Sequence, residues 1–170
     1  MRDVVIRQAD PADLAALVAS LGDEDFFTDR LARQQDGLGV LLTAWHAGDP
    51  IGGLYVWLEQ ADEQEVRDHL PGVPLLNHVE VRSDHRNSGV GTELVHSAER
   101  LLAGLGHQRV ALAVRIDNTD AYRLYARLDY EIWNHPPVEC MYEIRLPDGT
   151  RKRDFETCYM LVKELPGGSG

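Results

Sequence analysis

Cysteine, cationic residues and long apolar runs are all scarce in this chain, and each shortage narrows what it does. Of its 170 residues only Cys140 and Cys158 are cysteines. They show no Cys-x-x-Cys spacing and no adjacent histidine pattern, so no metal site is expected. Both fall in what reads as one C-terminal hairpin, at mirrored distances from the turn "PDGT", and are expected as two half-buried thiols facing each other across it. No apolar stretch approaches the roughly 18 residues that a membrane span requires. The opening "MRDVVIRQADPADL" lacks the apolar segment and small-residue cleavage site of a secretory leader, so a cytoplasmic location is the default expectation. Lys and Arg number 17 against 28 Asp and Glu, a formal charge of −11. Neither nucleic acid nor an anionic membrane is expected as a partner, because both require a basic face. Such acidity suits a cationic substrate.

What is present is patterned. "DVVIRQA" alternates as a first strand, and "DPADLAALVASL" follows with Asp10 as cap, Pro11 in the first turn and leucines at helical spacing. "DEDFFTDRLARQQDG" reads as a second helix ended by Gly37. "LGVLLTAWHAGDPIGGLYVWLE" reads as a hairpin around "AGDP", and 60–74 as a polar acidic loop holding at most a helical turn. "LLNHVEV" is the next strand. Val90, Leu94, Val95, Ala98, Leu101, Leu102 and Leu105 then form one apolar helical stripe closed by Gly106. "RVALAVR" is a short buried strand, Asn118 caps a helix through "TDAYRLYARL", "YEIW" begins another strand, and "VECMYEIRL" with "FETCYMLVKEL" closes a hairpin. A helical connection between "LLNHVEV" and "RVALAVR" makes those strands parallel, whereas the hairpins at both ends are antiparallel. The expectation is one domain over 1–165, a mixed α/β sheet with helices on both faces, followed by a flexible tail, 166–170.

The segment "DHRNSGVGTEL", 84–94, joins a strand to a helix and places Arg86, Gly89 and Gly91 in Arg-x-x-Gly-x-Gly spacing. In a net-acidic chain, Arg82, His85 and Arg86 are a local reversal of sign. The first N–H groups of a helix have no intrahelical partner and the helix dipole favours an anion there. Glycines remove the Cβ atoms that hold an anion away from those donors, and Arg86, with Arg82, adds charge-assisted bonds. A pyrophosphate is the natural guest. Three readings follow: a plain tight turn, a dinucleotide fingerprint that lacks its third glycine because Leu94 stands there, and an acyl-coenzyme A loop. A Walker loop is excluded, since no Gly-Lys-Ser/Thr follows.

The ordered set "VEV", "RNSGVG" (86–91) and "VRIDNTDAYRLYARLDYE" (114–131) resembles the GNAT superfamily of N-acetyltransferases. That family's pyrophosphate loop runs Gln/Arg-x-x-Gly-x-Gly/Ala between a strand and a helix, and the likeness covers nearly the whole chain. Three positions depart from the usual pattern: Ser83 where Pro is common, and Asn87 and Asp129 where Gly is common. None removes a donor that the anion needs, and Asn and Asp tolerate the left-handed backbone better than most residues.

The resemblance implies acetyl-CoA as co-substrate. It places the diphosphate on Arg86, Asn87, Ser88, Gly89, Val90, Gly91 and Thr92, with pantetheine running back along Val79 and Val81 where the strand splays at a bulge. It makes Tyr125 the acid that protonates the departing thiolate, whose ordinary pKa of about 8.5 requires a positioned donor more than a strong acid; a core tyrosine on the helix stripe is the alternative. Asn118 caps its helix and is a second pantetheine contact. For the base, Glu80 is the nearest carboxylate to the expected thioester, and Asn77 can order a water that takes the proton. Strand parity puts Asn77 and Val79 on one face and His78 and Glu80 on the other, a count that a bulge would spoil.

For the acceptor, Asp23, Glu24 and Asp25 with Phe26 and Phe27 form one acidic-aromatic cluster, and Glu59, Asp62, Glu63 and Glu65 another. Both suit a primary amine on a cationic small molecule. A protein amine, from lysine or an N-terminus, is the rival acceptor, and a non-catalytic acyl-CoA sensor is the rival class. A homodimer through the C-terminal hairpin is compatible with the family.

Overall fold

In the computed structural model, residues 3–166 are described, and the expected tail beyond Pro166 lies outside them. In chain order the elements are β1 (Val4–Gln8), α1 (Leu14–Leu21), α2 (Glu24–Gln35), β2 (Gly39–His46), β3 (Asp49–Trp57), α3 (Gln64–His69), β4 (Leu75–Val81), α4 (Val90–Gly104), β5 (Arg109–Arg115), α5 (Thr119–Arg127), β6 (Glu131–Ile132), β7 (Val138–Arg145) and β8 (Arg151–Glu164). They divide into two compact units. One comprises 1–59, 73–110 and 164–170, and the other 60–72 and 111–163.

The first unit is a meander of β1, β2, β3 and β4, each antiparallel to the next. Asp10 caps a short 3-10 turn, Pro11–Asp13, with its side chain accepting from Ala12 N–H while Asp13 reaches back to Asp10 N–H, and α1 follows directly. The β2–β3 turn is tighter than "AGDP" suggested. Only Ala47 and Gly48 form it, both at positive φ (52° and 84°), which matches the twist of a two-residue hairpin.

β3 is buried on both faces. Tyr55 and Trp57 join Ala9, Leu17, Phe27, Leu31 and Leu41 in the core beneath α1 and α2. On the other face, a Cβ built at Gly52 would lie 3.4 Å from Leu94 of α4. Val90, Leu94, Val95, Ala98 and Leu102 of α4 are buried, as the sequence stripe predicts, whereas Leu105 at its end is exposed.

In the second unit β8 is the spine, with β6 paired antiparallel to its C-terminal part and β7 to its N-terminal part. The acidic stretch after β3 holds a real helix, α3, closed around the buried Val66. "YEIW" contributes only two residues of strand. Asp129 follows α5 at φ 73°, a left-handed position that Asp tolerates better than most residues. The two cysteines are free thiols. They are not direct partners: Cys158 pairs with Val138 and Cys140 with Glu156. The mirrored count from "PDGT" therefore misses by one diagonal step, and burial together with the neighbouring Cys158 thiol pushes the Cys140 thiol up.

Candidate active site

The glycine loop leaves the end of β4 through a 3-10 turn, Ser83–His85, and reaches α4 by way of two left-handed residues, Asn87 (φ 59°) and Gly89 (φ 86°). Gly89 is the residue before the helix, and no side chain caps it. The first helical bond runs from Glu93 N–H to the Gly89 carbonyl at 3.0 Å, so the N–H groups of Val90, Gly91 and Thr92 precede the helical ladder. A Cβ at Gly91 would meet nothing closer than a Val81 methyl at 3.7 Å, an ordinary contact. Packing inside the protein therefore does not demand glycine there, and the small residue leaves the helix N-terminus open to an anion.

The two arginines of the loop separate in role. Arg86 is exposed and anchored by its Nε, which donates to the Val81 carbonyl at 3.1 Å. Arg82 is occupied elsewhere: its Nε and NH2 grip Asp84 at 2.7 and 3.1 Å, and NH1 donates to Ser20 of α1 at 2.6 Å. The expected second phosphate arginine is thus a brace between β4 and α1, and Arg86 is the cation left to the loop. Ser88 donates its hydroxyl to the His85 carbonyl, closing the turn.

β4 carries the bulge. Gly53 pairs with Glu80 and Tyr55 with Asn77, so Leu54 faces two residues, His78 and Val79. His78 takes the strain, with φ 55°. A Cβ on Gly52 would sit 2.8 Å from the Glu80 carbonyl, so only glycine lets β3 approach so closely here. The extra residue cancels the strand parity. Asn77 reaches Arg30 of α2, accepting from NH2 at 3.1 Å. His78 also turns to α2, its ring 4.1 Å from that of Phe26. Glu80 comes back to His78, with Oε1 3.1 Å from Nε2. Asn77, His78 and Glu80 therefore form one chain of side chains beside α2.

Of the acidic-aromatic cluster, Asp23 caps α2, Phe27 goes to the core and Phe26 stays half-buried beside His78. Glu59 is held by Arg33 at 2.7 Å. Arg30 itself carried no warning in the sequence as a site residue. Its helical spacing from Phe26, four residues, was the available signal.

In the second unit Asn118 caps α5, its Oδ1 accepting from Ala121 N–H at 3.1 Å. Tyr125 is buried and meets Tyr130 edge-on at 5.7 Å. Burial pushes its phenol up to about 12. Glu63, the acidic residue of the loop before α3, is likewise pushed up by burial.

The sequence profile described as the Acetyltransferase (GNAT) family matches residues 8–130. The chain belongs to the GNAT family. This GNAT protein is by family an acyltransferase. Solved structures with the same fold include a GNAT-family acetyltransferase from Streptococcus pneumoniae, 21% identical with a TM-score of 0.68 over 95% of this chain and 99% of that one. Arabidopsis thaliana NAA60, in complex with a bisubstrate analogue, is 20% identical with a TM-score of 0.68 over 97% and 99%. The PaiA N-acetyltransferase of Thermoplasma acidophilum, in complex with coenzyme A, is 13% identical with a TM-score of 0.66 over 95% and 99%. No curated protein matches the sequence. The fold shared with these structures is the one expected: mixed α/β, mostly antiparallel, with a parallel strand pair. Among the described residues no helix is long and apolar enough to cross a membrane.

Proposed function

We propose that this GNAT protein transfers an acetyl group from acetyl-CoA to a primary amine of a small molecule, by direct attack within a ternary complex. The observation that carries the reading is the uncapped start of α4, where left-handed Asn87 and Gly89 leave the N–H groups of Val90, Gly91 and Thr92 ahead of the helical ladder. Arg86, Asn87, Ser88 and Gly89 complete this cradle for a diphosphate. The coenzyme A complex of PaiA supports the choice of ligand. Acetyl-CoA supplies an activated thioester. Val79 and Val81 offer main-chain groups to the pantetheine arm where the bulge interrupts the ladder with β3.

Around the bulge, Glu80 takes the proton of the incoming ammonium, with His78 at hydrogen-bond distance to pass it on. Asn77, with Oδ1 engaged by Arg30, keeps its amide N–H groups to order a water or the acceptor. Tyr125 delivers a proton to the thiolate. Burial, which raises the phenol to about 12, keeps it protonated at neutral pH; as a weaker acid than a thiol of pKa about 8.5, it meets the departing thiolate as a hydrogen-bond donor, and solvent replaces any proton it gives up. Asn118 keeps α5, and so Tyr125, in place. The match across 8–130 draws on residues of both units and supports treating 1–165 as one acetyltransferase domain.

The test is ligand-induced stabilisation followed by turnover. Acetyl-CoA at 100 times its Kd stabilises the protein by about 2.7 kcal/mol, and thiol release follows on adding an acceptor amine. No thermal shift refutes the coenzyme site. A shift without thiol release across a broad amine panel refutes the enzyme reading and leaves an acyl-CoA sensor.

A further inference from the structure

We propose that Arg30 selects the acceptor, holding a carboxylate carried beside the reactive amine, so that the substrate class is amino acids or short amino carboxylates. The inference rests on the reading of the β4 bulge as the place of acetyl transfer.

The bulge and the guanidinium share one surface within the first unit. NH2 of Arg30 donates to Asn77, the residue before left-handed His78. The His78 ring lies on Phe26 at 4.1 Å, and the Arg30 Cζ lies 4.7 Å from the centroid of that same Phe26 ring. An amine placed to be deprotonated by Glu80 and His78 therefore arrives next to a fixed guanidinium.

That surface is poorly suited to a simple cation. Cation recognition by rings needs free aromatic faces. Here the rings of Phe26, Tyr55 and Trp57 stand 4.7, 5.2 and 5.6 Å from the Arg30 Cζ, and Arg33 adds its own guanidinium 5.0 Å from the Trp57 centroid. The protein's own cations occupy the aromatic box. Two carboxylates beside these rings are engaged as well, Asp29 by Arg30 and Arg33, and Glu59 by Arg33.

The same surface has donors to spare. A guanidinium has five N–H groups, and Asp29 and Asn77 account for one on NH1 and one on NH2. Arg30 Nε and the Tyr55 hydroxyl are both buried without a hydrogen-bond partner among the described residues. The Tyr55 hydroxyl lies deep against Gly39 of β2, so the donors open to a guest are those of Arg30. Orphaned buried donors are costly and rare in native proteins. A carboxylate is the acceptor group whose two oxygens match the planar fork of arginine. Arg30 keeps 18% of its side-chain surface open, which gives a guest a way in.

The experiment is a thiol-release panel on the full chain with acetyl-CoA. Each α-, β- and γ-amino acid is compared with the amine that lacks its carboxylate. The carboxylate-bearing member is expected to have a kcat/KM roughly tenfold to a hundredfold higher, the worth of a hydrogen-bonded charge pair. Arg30→Gln should collapse that ratio towards one, mainly through KM of the amino acid, and Arg30→Lys should restore part of it. A purely structural arginine would slow both members of each pair alike, and that result overturns the proposal. So does a plain amine that is acetylated as fast as its amino acid by the unaltered protein, a comparison that needs no variant to fold. Thiol release from plain amines refutes only the role of Arg30. Absence of release from every amine, despite binding of acetyl-CoA, refutes the transferase reading with it.

Discussion

Replacing Tyr125 by Phe removes one buried hydroxyl and separates two consequences of its environment. Folding raises the phenol pKa from an ordinary 10.0 to about 12 by burial. At 1.36 kcal/mol for each tenfold change in proton affinity, the difference is about 2.7 kcal/mol. The sign follows from linkage: the unfolded chain begins to ionise at pH 10 while the folded chain holds its proton. The contribution is therefore complete below pH 10 and is lost as the pH climbs through 12. Urea unfolding between pH 9 and 12 should show the wild type losing stability faster than Tyr125→Phe, with the gap between them shifting by up to about 2.7 kcal/mol. Near neutrality the two should differ by no more than about 1 kcal/mol. Turnover should behave differently. Loss of a positioned acid lowers kcat by roughly 10² to 10⁴, while the thermal shift given by acetyl-CoA persists. Thiol release at pH 7.5 reads the first effect and melting with the ligand reads the second. Parallel stability curves for wild type and variant would refute the buried neutral phenol, and an unchanged kcat would make Tyr125 a packing residue alone.

Gly52→Ala forces a Cβ to within 2.8 Å of the Glu80 carbonyl. Overpacking of this kind costs about 1 to 3 kcal/mol, or roughly 2 to 12 °C in Tm for a chain of this size, and calorimetry showing no change would mean that β3 and β4 yield freely at the bulge. Turnover of Gly52→Ala measured well below its own Tm should also fall, because the displaced carbonyl belongs to the residue read as the base. Asn118→Ala should lower stability by about 1 kcal/mol through loss of the α5 cap, and Asn118→Asp, which keeps an accepting oxygen, should recover it. An alanine variant as stable as wild type in urea would show that α5 stands without its cap.

Local signals were legible where a residue acts through its own backbone. Asn87 and Asp129 read as left-handed positions, Asn118 as a cap and the α4 apolar residues as one stripe; the structure has the first three so and buries Val90, Leu94, Val95, Ala98 and Leu102 of the stripe, with Leu105 exposed. The fold class followed from the order of hairpins and helices for the same reason, since each connection is set by a few neighbouring residues. Contacts between distant segments were not legible. Arg82 reads as a phosphate ligand until Ser20 and Asp84 are seen holding it. The cysteines look like partners until the register proves offset by two residues.

The candidate site divides along the same line. The amino-acid sequence by itself determined the uncapped start of α4, because unpaired amides at a helix start are a property of a few consecutive residues. Only the tertiary structure decided the surroundings of the β4 bulge. There one extra residue in β4 turns Asn77 and His78 together towards α2. Beside that bulge β3 approaches β4 closely at Gly52, a steric fact between residues 28 positions apart in the chain, Gly52 and Glu80. With it came Arg30, whose hydrogen bond to Asn77 joins two segments far apart in the chain.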